Sequence, residues 1–440
     1  MTESKHILAD QAQRDTIQHR LDVVMLVEAS AGTGKTYSMV QRMMELIRAG
    51  VPADSLAAIT FTKKAAAELQ GRFFKALQNT AADSNIPPVE QERFAQAASM
   101  IDRCFLGTIH SFCGRMLRER PLEAGVGMNF TELDDEADRA LQRHAWELFV
   151  SECYGNQWPW IERLDNHGLR FGDLRAAFGD YCNYPDVASW PSEKTDLPTE
   201  DELRFAHEEF LKLLSGGEAV LSQIRAQQTP AIEFAKNTDG LLALYADPPL
   251  GYAHLQFDTP HHRRDAMLYF EALKPVPKLI QKYWPGEKGE RKERCLDAHA
   301  QWETFYSASV EPVLAKLRAS RYALILELFA EAQKVYDQLR RNQNVLNFQD
   351  LLMKTAAMLR THRPVREYFQ SKVHALLVDE FQDTDPIQAE IMLLLTADDP
   401  AESDYRAARP QVKPKRALGT TMDIASLFVV GDPKQSIYRF

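Results

Sequence analysis

The sequence predicts an α/β protein in which a parallel sheet domain is interrupted by a mostly helical insertion. Short apolar strands alternate with amphipathic helices near both ends of the 440-residue chain, whereas long charged, amphipathic stretches fill its middle. Strands with near-continuous apolar runs, each leading into a helix, are typical of a parallel sheet covered on both faces. We therefore expect the sheet domain in residues 1–130 and 345–440 and the insertion in residues 131–344. Residues 401–423 are expected to form an irregular basic loop.

Five segments are the strand candidates of the sheet domain. VVMLVEA (23–29) leads into a glycine-rich loop and an amphipathic helix, and LAAITF (56–61) and FLGT (105–108) repeat this theme. HALLVDEF (374–381) and LFVVGD (427–432) resume it late in the chain. The strand candidates of one sheet are thus separated by the predicted insertion.

Composition excludes several classes of protein. Apolar residues make up 45% of the chain and charged residues 26%, which is ordinary for a soluble globular protein. No apolar run is long enough to span a bilayer, and the start, MTESKHILADQAQRD, is charged where a signal peptide is apolar. Five scattered cysteines indicate a reducing cytoplasm, without a disulfide framework or a zinc site. A net charge of -10 disfavours coating of nucleic acid through overall charge, but not a locally basic groove.

The segment EASAGTGKTY, residues 28–37, predicts a phosphate-binding loop. Glycines let backbone N–H groups close on phosphates, and the following helix adds the positive end of its dipole. Lys35 is expected to reach the β- and γ-phosphates, and Thr36 to ligate Mg²⁺. Ala29 departs from the usual pattern, which begins with glycine, and a chance glycine-rich turn is the alternative. The expected nucleotide-binding residues are Ala29, Ser30, Ala31, Gly32, Thr33, Gly34, Lys35 and Thr36.

A pair of carboxylates follows an apolar strand in LLVDEFQD, residues 376–383. We expect Asp379 to hold Mg²⁺, mainly through water, and Glu380 to orient or deprotonate the attacking water. Adjacent carboxylates are more often surface charge, but the apolar strand before them and the phosphate loop in the same chain favour a catalytic pair. Together the two motifs predict an ATPase that uses ATP and Mg²⁺.

Five motifs narrow the class of ATPase, because their order is specific. ASAGTGKT, ITFTKKAAAEL, GTIHSFC, LLVDEFQDTD and VVGDPKQSIYRF resemble the first half of the motif set of superfamily 1 DNA helicases of the UvrD/Rep type. The similarity is greatest to the RecB/AddA branch of recombination nuclease-helicases, which RERPLEAGV and LNFQDLL also fit. The resemblance implies a RecA-like P-loop motor domain and ATP-driven 3′→5′ translocation on single-stranded DNA in repair or recombination.

The resemblance also implies roles for individual residues. Gln13 corresponds to an adenine-reading glutamine, with an exposed polar helix residue as the alternative. Gln435 corresponds to the glutamine that senses the γ-phosphate, and is counted among the catalytic residues with Lys35, Asp379 and Glu380. An aromatic face can stack a base while hydroxyls and a cation hold phosphates. The implied DNA contacts are Thr60, Phe61, Thr62, Lys64, Thr108, His110, Tyr438 and Phe440.

We therefore interpret the chain as the ATP- and single-stranded-DNA-binding portion of a helicase. The resemblance expects a second motor domain, with arginines for the γ-phosphate, after Phe440. Because an arginine finger is worth on the order of 10³–10⁵ in rate, we expect the chain alone to hydrolyse ATP slowly and not to unwind DNA. One alternative is a naturally short, ATP-gated DNA-binding or adaptor module that a partner, such as a nuclease/helicase protein, completes in trans. Another is a P-loop ATPase unrelated to nucleic acid.

Overall fold

A computed structural model gives the fold as two compact units. The α/β unit comprises residues 1–135 and 343–440, and the helical unit comprises residues 136–342. A parallel sheet with helices forms the first unit, so the predicted α/β fold with a helical insertion is confirmed. The domain boundaries given by the sequence stay predictions. The residues that the structure describes are 10–30, 33–156, 159–187, 189–191, 193–226, 255–273, 287–417, 420–432 and 434.

The strands of the described chain all belong to the α/β unit. They are β1 (Met25–Glu28), β2 (Leu56–Thr60), β3 (Phe105–Thr108), β4 (Thr131–Glu132), β5 (Val345–Leu346), β6 (Ala375–Val378), β7 (Val412–Ala417), β8 (Thr420–Ala425) and β9 (Leu427–Gly431). The main sheet has the order β1-β9-β6-β2-β3 and is parallel throughout. Its two late strands therefore lie between β1 and β2, and β4 pairs separately with β5.

Helices cover the sheet and build the second unit. They are α1 (Gln11–His19), α2 (Lys35–Arg48), α3 (Lys63–Ala81), α4 (Pro88–Ser99), α5 (Ile109–Glu119), α6 (Asp135–Gly155), α7 (Trp160–Asn166), α8 (Phe171–Cys182), α9 (Glu200–Ala226), α10 (Pro260–Ala272), α11 (Lys288–Phe305), α12 (Glu311–Gln343), α13 (Phe348–Thr361), α14 (Arg363–Lys372) and α15 (Pro386–Thr396). A short π-helical turn, Tyr306–Val310, joins α11 to α12.

Alternate residues of the central strands face two apolar clusters. Leu376 and Val378 of β6 pack into the cluster that contains α5, α13 and α15, whereas Leu377 packs into the cluster that contains α2, α3 and α4. All residues of β2, β6 and β9 are buried. β1 lies at an edge of the described sheet, and its Leu26 side chain is 61% exposed. The sequence therefore predicted the buried centre of the sheet correctly, but not the exposed face of β1.

The helical unit is held together by aromatic packing. Trp146 of α6 contacts Phe178 of α8 and Phe329 of α12, with ring centroids 5.1 and 6.0 Å away. A second cluster joins α9, α10 and α11 through residues such as Phe210 and Trp302. The predicted helical character of the middle of the chain is thus confirmed for the residues that the structure describes.

The prediction of an irregular basic loop at residues 401–423 is wrong in its second half. β7 and β8 form an antiparallel hairpin in which Val412 pairs with Ala425. Its base is fixed on both sides, because Gln411 N donates to Thr396 O at 2.7 Å and Ala425 N donates to Leu21 O at 2.8 Å. The hairpin immediately precedes β9, and so lies at the amino end of that strand, opposite the carboxyl ends that carry the motifs.

A buried arginine joins α1 and α2 to the sheet. Arg42 is 1% exposed and donates to Ile17 O at 2.7 Å, to Arg20 O at 3.1 Å and to Val23 O at 3.3 Å. Its guanidinium carbon lies 4.6 Å from the centroid of the Phe428 ring in β9. Burial lowers the pKa of Arg42 to about 10, against a smaller opposing effect of Asp22. The cation thus supplies the donors that the carbonyls at the end of α1 and before β1 need.

We expect Arg42→Met to lower the free energy of unfolding of the α/β unit by about 2–4 kcal/mol, because it leaves buried carbonyls without donors. Urea unfolding followed by circular dichroism measures the change. The matched control is Arg72→Met on α3, because Arg72 is 53% exposed and forms a surface pair with Glu68. That change should cost no more than about 0.5 kcal/mol. Equal losses in both variants would contradict the structural role of Arg42.

Candidate functional site

The sequence motifs meet at the carboxyl ends of β1, β9 and β6. Ala29 N, just after β1, donates to Gly431 O at the end of β9 at 3.0 Å. Asp379 N, just after β6, donates to Ile59 O of β2 at 2.9 Å. Ligands of open α/β sheets bind outside the carboxyl ends of the strands, so this edge is the candidate site.

The phosphate loop leads from β1 into the first turn of α2. Gly34 is the N-cap residue of α2 and has a φ of 89°, a left-handed conformation that glycine adopts without strain. Thr33 turns back on the loop, since its hydroxyl donates to Ser30 O at 2.7 Å. The N–H groups of the first turn of α2 therefore face the loop, as an anion site requires. Ala31 and Gly32 lie outside the described residues, and the Mg²⁺ role of Thr36 stays a prediction.

Lys35 and Glu380 form an ion pair within the site. The Lys35 Nζ atom lies 3.0 Å from Glu380 Oε2, and the two side chains are 10% and 35% exposed. The residues are 345 positions apart in the chain, so the sheet order alone brings them together. The structure thus joins the two motifs that the sequence placed in one nucleotide site.

The two adjacent carboxylates have different environments. Burial, and then the nearby Glu380 charge, raise the pKa of Asp379. Burial alone would also raise the pKa of Glu380, but hydrogen bonds from Gln382 and Lys35 outweigh it, and the pKa of Glu380 is lowered. Glu380 has a left-handed backbone with a φ of 54°, and its N–H donates to Asp379 Oδ1 at 3.0 Å. Non-glycine residues in this conformation are strained and cluster at functional sites.

Two contacts at the site were not predicted from the sequence. Gln382 Nε2 donates to Glu380 Oε2 at 2.7 Å, and Gln382 Oε1 accepts from Asp432 N at 2.9 Å. Arg14 of α1 donates to Thr33 O at 2.8 Å, which ties α1 to the phosphate loop. The signals were an amide two residues after Glu380 and a cation next to Gln13. Gln13 itself is exposed on α1, and its adenine-reading role stays a prediction.

The predicted DNA contacts of the second and third motifs follow neighbouring strands, since Thr60 pairs with Thr108 in the sheet. Phe61 is 47% exposed, and Thr62 and Lys64 are also exposed. Thr62 is the N-cap residue of α3 and accepts from Ala65 N at 3.1 Å. A stacking surface and a cation thus lie beside the nucleotide site, at the same edge of the sheet.

Two predicted DNA contacts have buried hydroxyls with local partners. Thr60 is 2% exposed and donates to Thr62 O at 3.1 Å, whereas Thr108 is 8% exposed and caps α5 by accepting from Ser111 N at 3.3 Å. These bonds shape the turns after β2 and β3. The two threonines therefore position the turns that carry Phe61 and His110.

The imidazole of His110 is half-buried, 5.2 Å from the centroid of the Phe348 ring. Burial lowers the pKa of His110, although Asp385 opposes this effect. The neutral ring is thus favoured at neutral pH, which suits a hydrogen bond or a stacking contact more than a charge contact with phosphate. Gln435, Tyr438 and Phe440 lie outside the described residues, and their roles stay predictions.

The family model of the UvrD/REP helicase N-terminal domain matches residues 9–440. The chain belongs to this family. The resemblance that the motifs indicated is therefore confirmed.

Relatives of the chain carry the name of the AddA subunit of an ATP-dependent helicase/nuclease. The protein of Thermoanaerobacter sp. (strain X514) is 25% identical over 94% of this chain and 34% of its own length. The protein of Latilactobacillus sakei is 24% identical over 94% of this chain and 48% of its own length. The chain thus spans between a third and a half of these relatives. Among the described helices, none is long and apolar enough to cross a membrane.

We expect Gly431→Ala to destabilise the α/β unit, because a Cβ atom at this position would lie 2.8 Å from Gln382 Oε1 and 3.2 Å from Gln382 N. Overpacking of this kind costs about 1–3 kcal/mol. Gly71→Ala is the matched control, because nothing lies within 4 Å of its Cβ position in α3. That change should stabilise the helix by up to about 1 kcal/mol. Urea unfolding measures both, and a neutral Gly431→Ala would contradict the close contact.

Proposed function

We propose that the chain is the ATP- and single-stranded-DNA-binding portion of an ATP-dependent 3′→5′ DNA helicase of the UvrD/RecB type that acts in DNA repair or recombination. The observation that carries the proposal is the meeting of the phosphate loop and the paired carboxylates at one sheet edge, through the Lys35–Glu380 contact of 3.0 Å. Membership of the family supports the same function.

The site fits ATP and Mg²⁺ by its chemistry. The first turn of α2 offers backbone N–H groups and the Lys35 cation to the phosphates. The Thr36 hydroxyl and the Asp379 carboxylate are hard oxygen donors of the kind that Mg²⁺ prefers, and the ion, when bound, neutralises charge on the phosphate oxygens. Glu380, whose pKa is lowered, stays ionised at neutral pH and can accept a proton from the attacking water.

The DNA-binding part of the proposal depends on the turn after β2. Phe61 presents a half-exposed ring beside Thr62 and Lys64, a combination that can stack a base and hold its phosphates. This turn lies at the same sheet edge as the nucleotide site, with β6 between β2 and β9. Nucleotide binding and DNA binding can therefore influence each other through one sheet.

Some of the activity would reside outside these residues. The relatives with the helicase/nuclease name are two to three times as long as the matched region. We propose that unwinding, nuclease activity and assembly with a partner protein need regions or proteins beyond the 440 residues. The chain by itself would bind ATP and DNA but hydrolyse ATP slowly.

We expect Lys35→Met to weaken ATP binding at least about 10-fold, because it removes the cation that faces the phosphates. Glu380→Gln should keep ATP binding but lower hydrolysis at least about 100-fold, because it removes the proton acceptor. Binding of a fluorescent ATP analogue and release of phosphate measure the two effects.

The control for both variants is Lys75→Met, on the exposed side of α3, which should leave both measurements unchanged. Unaltered ATP binding by Lys35→Met would contradict the nucleotide site. Rapid, DNA-stimulated hydrolysis by the unmodified chain would instead contradict the need for further regions.

We expect Phe61→Ala to weaken binding of single-stranded DNA about 5- to 150-fold, because stacking on an aromatic ring contributes about 1–3 kcal/mol per base. Fluorescence anisotropy of a labelled oligothymidine, repeated across salt concentrations, measures the affinity. Tyr184→Ala is the control, since Tyr184 is 57% exposed in the helical unit.

Affinity should fall steeply with salt in all these proteins, because phosphate contacts release counterions. An absence of DNA binding by the unmodified chain would favour an ATPase unrelated to nucleic acid. Equal affinities of Phe61→Ala and the unmodified chain would remove Phe61 from the DNA path.

A further inference from the structure

We propose that Gln382 is a positioning residue that holds the Glu380 carboxylate and ties it, through the same side-chain amide, to the backbone at the end of β9. The inference rests on the proposed function, since Glu380 matters in this way only if the chain hydrolyses a nucleotide. Gln382 is not expected to contact the reacting atoms, and acts through Glu380.

The geometry uses both ends of one planar amide. Its Nε2 donates to Glu380 Oε2 at 2.7 Å, and its Oε1 accepts from Asp432 N at 2.9 Å. A glutamate at position 382 could accept from Asp432 but has no donor for Glu380, and a methionine can do neither. An asparagine is one methylene shorter and cannot span the same two partners. The arrangement therefore depends on a glutamine at this position.

The backbone around Gln382 is shaped to bring it to this place. The left-handed Glu380 precedes a 3₁₀ turn, Phe381–Asp383, in which Asp383 N donates to Glu380 O at 3.1 Å. Gly431 leaves room for the amide, because a Cβ atom there would lie 2.8 Å from Gln382 Oε1. A strained residue and a glycine thus both serve the contact between the acidic motif and β9.

The contact gains importance when a nucleotide binds. Lys35 and Gln382 both donate to Glu380 Oε2. The phosphates would draw Lys35 toward themselves, since a charge-assisted contact with phosphate is strong. Gln382 is then the donor that fixes the direction of the Glu380 carboxylate as it faces the attacking water. Precise orientation of such a group is worth orders of magnitude in rate.

The same amide passes a movement of Glu380 to Asp432. Asp432 follows β9 directly, and its Oδ1 accepts from Lys434 N at 3.0 Å. The segment that follows carries Gln435, Tyr438 and Phe440, which the sequence assigned to the γ-phosphate and to DNA. Gln382 is thus placed to link the state of the nucleotide site to the start of that segment.

The test compares Gln382→Met and Gln382→Asn with the unmodified 440-residue chain. ATP affinity comes from a fluorescent analogue, and hydrolysis from single-turnover assays with radiolabelled ATP, which detect slow reactions over hours. Both variants should bind ATP within about 3-fold of the unmodified chain, but hydrolyse it at least about 10-fold more slowly. This split between affinity and rate distinguishes positioning from a general loss of structure. Gln388→Met is the matched control, since Gln388 contacts Asp385 on α15 and not Glu380.

A double-mutant comparison tests whether Gln382 acts through Glu380. In a Glu380→Gln background, Gln382→Met should cause no further loss of hydrolysis, because the group that it positions is already absent. Multiplicative losses would overturn the proposal. Melting temperatures give an independent measurement if hydrolysis is weak in all variants. The losses caused by Gln382→Met and Glu380→Ala should be less than additive, since both remove the same hydrogen bond.

The outcomes separate this inference from the proposed function. Hydrolysis that is lost in Glu380→Gln but retained in Gln382→Met overturns the inference alone. A complete lack of ATP binding and hydrolysis by the unmodified chain overturns the proposed function, and the inference with it. Loss of ATP binding in Gln382→Met, with retained folding by circular dichroism, assigns the residue to binding and also overturns its role as a positioning residue.

Discussion

The site depends on the insertion of β6 and β9 between β1 and β2. The phosphate loop follows β1, the acidic pair follows β6, and the two strands become neighbours of β9 only in this order. The backbone bonds Ala29–Gly431 and Asp379–Ile59 fix the register at the edge where the motifs meet. Lys35 and Glu380 can therefore pair across 345 positions of sequence without a dedicated connection between them.

The sequence predicted the parts of the site whose signals are local. A glycine loop between an apolar strand and an amphipathic helix, and two acids after an apolar strand, identify their chemistry wherever they lie in the fold. The Gln382 bridge could not be predicted in this way, because it depends on the register of β6 against β9. The buried hydroxyls of Thr60 and Thr108 were equally hidden, since a threonine at a strand end can cap a helix or face a ligand. The hairpin β7–β8 was missed because its basic residues mask the pairing pattern.

Buried charges divide the work of the α/β unit between stability and chemistry. Arg42 donates to three carbonyls, and Arg366 donates to the carbonyls of Leu359, Arg360 and Pro400, so both cations satisfy backbone groups where helices and connections end. The ions of the site have fewer fixed partners: Lys35 pairs with Glu380, and Asp379 is partly buried beside it. The first set holds the frame rigid, whereas the second set can exchange its partners for those of a ligand.

The late arrival of β9 also has a consequence for synthesis on the ribosome. Met25 pairs with Phe428, so β1 has no partner in the main sheet until nearly the whole described chain has been made. At roughly 5–20 residues per second, the wait is on the order of tens of seconds. During that time the edges of β1 and β2 are unpaired and open to wrong pairing, whereas the helical unit has its own internal contacts and can fold at once. A nascent chain of this architecture is therefore a natural client for chaperones that shield strand edges.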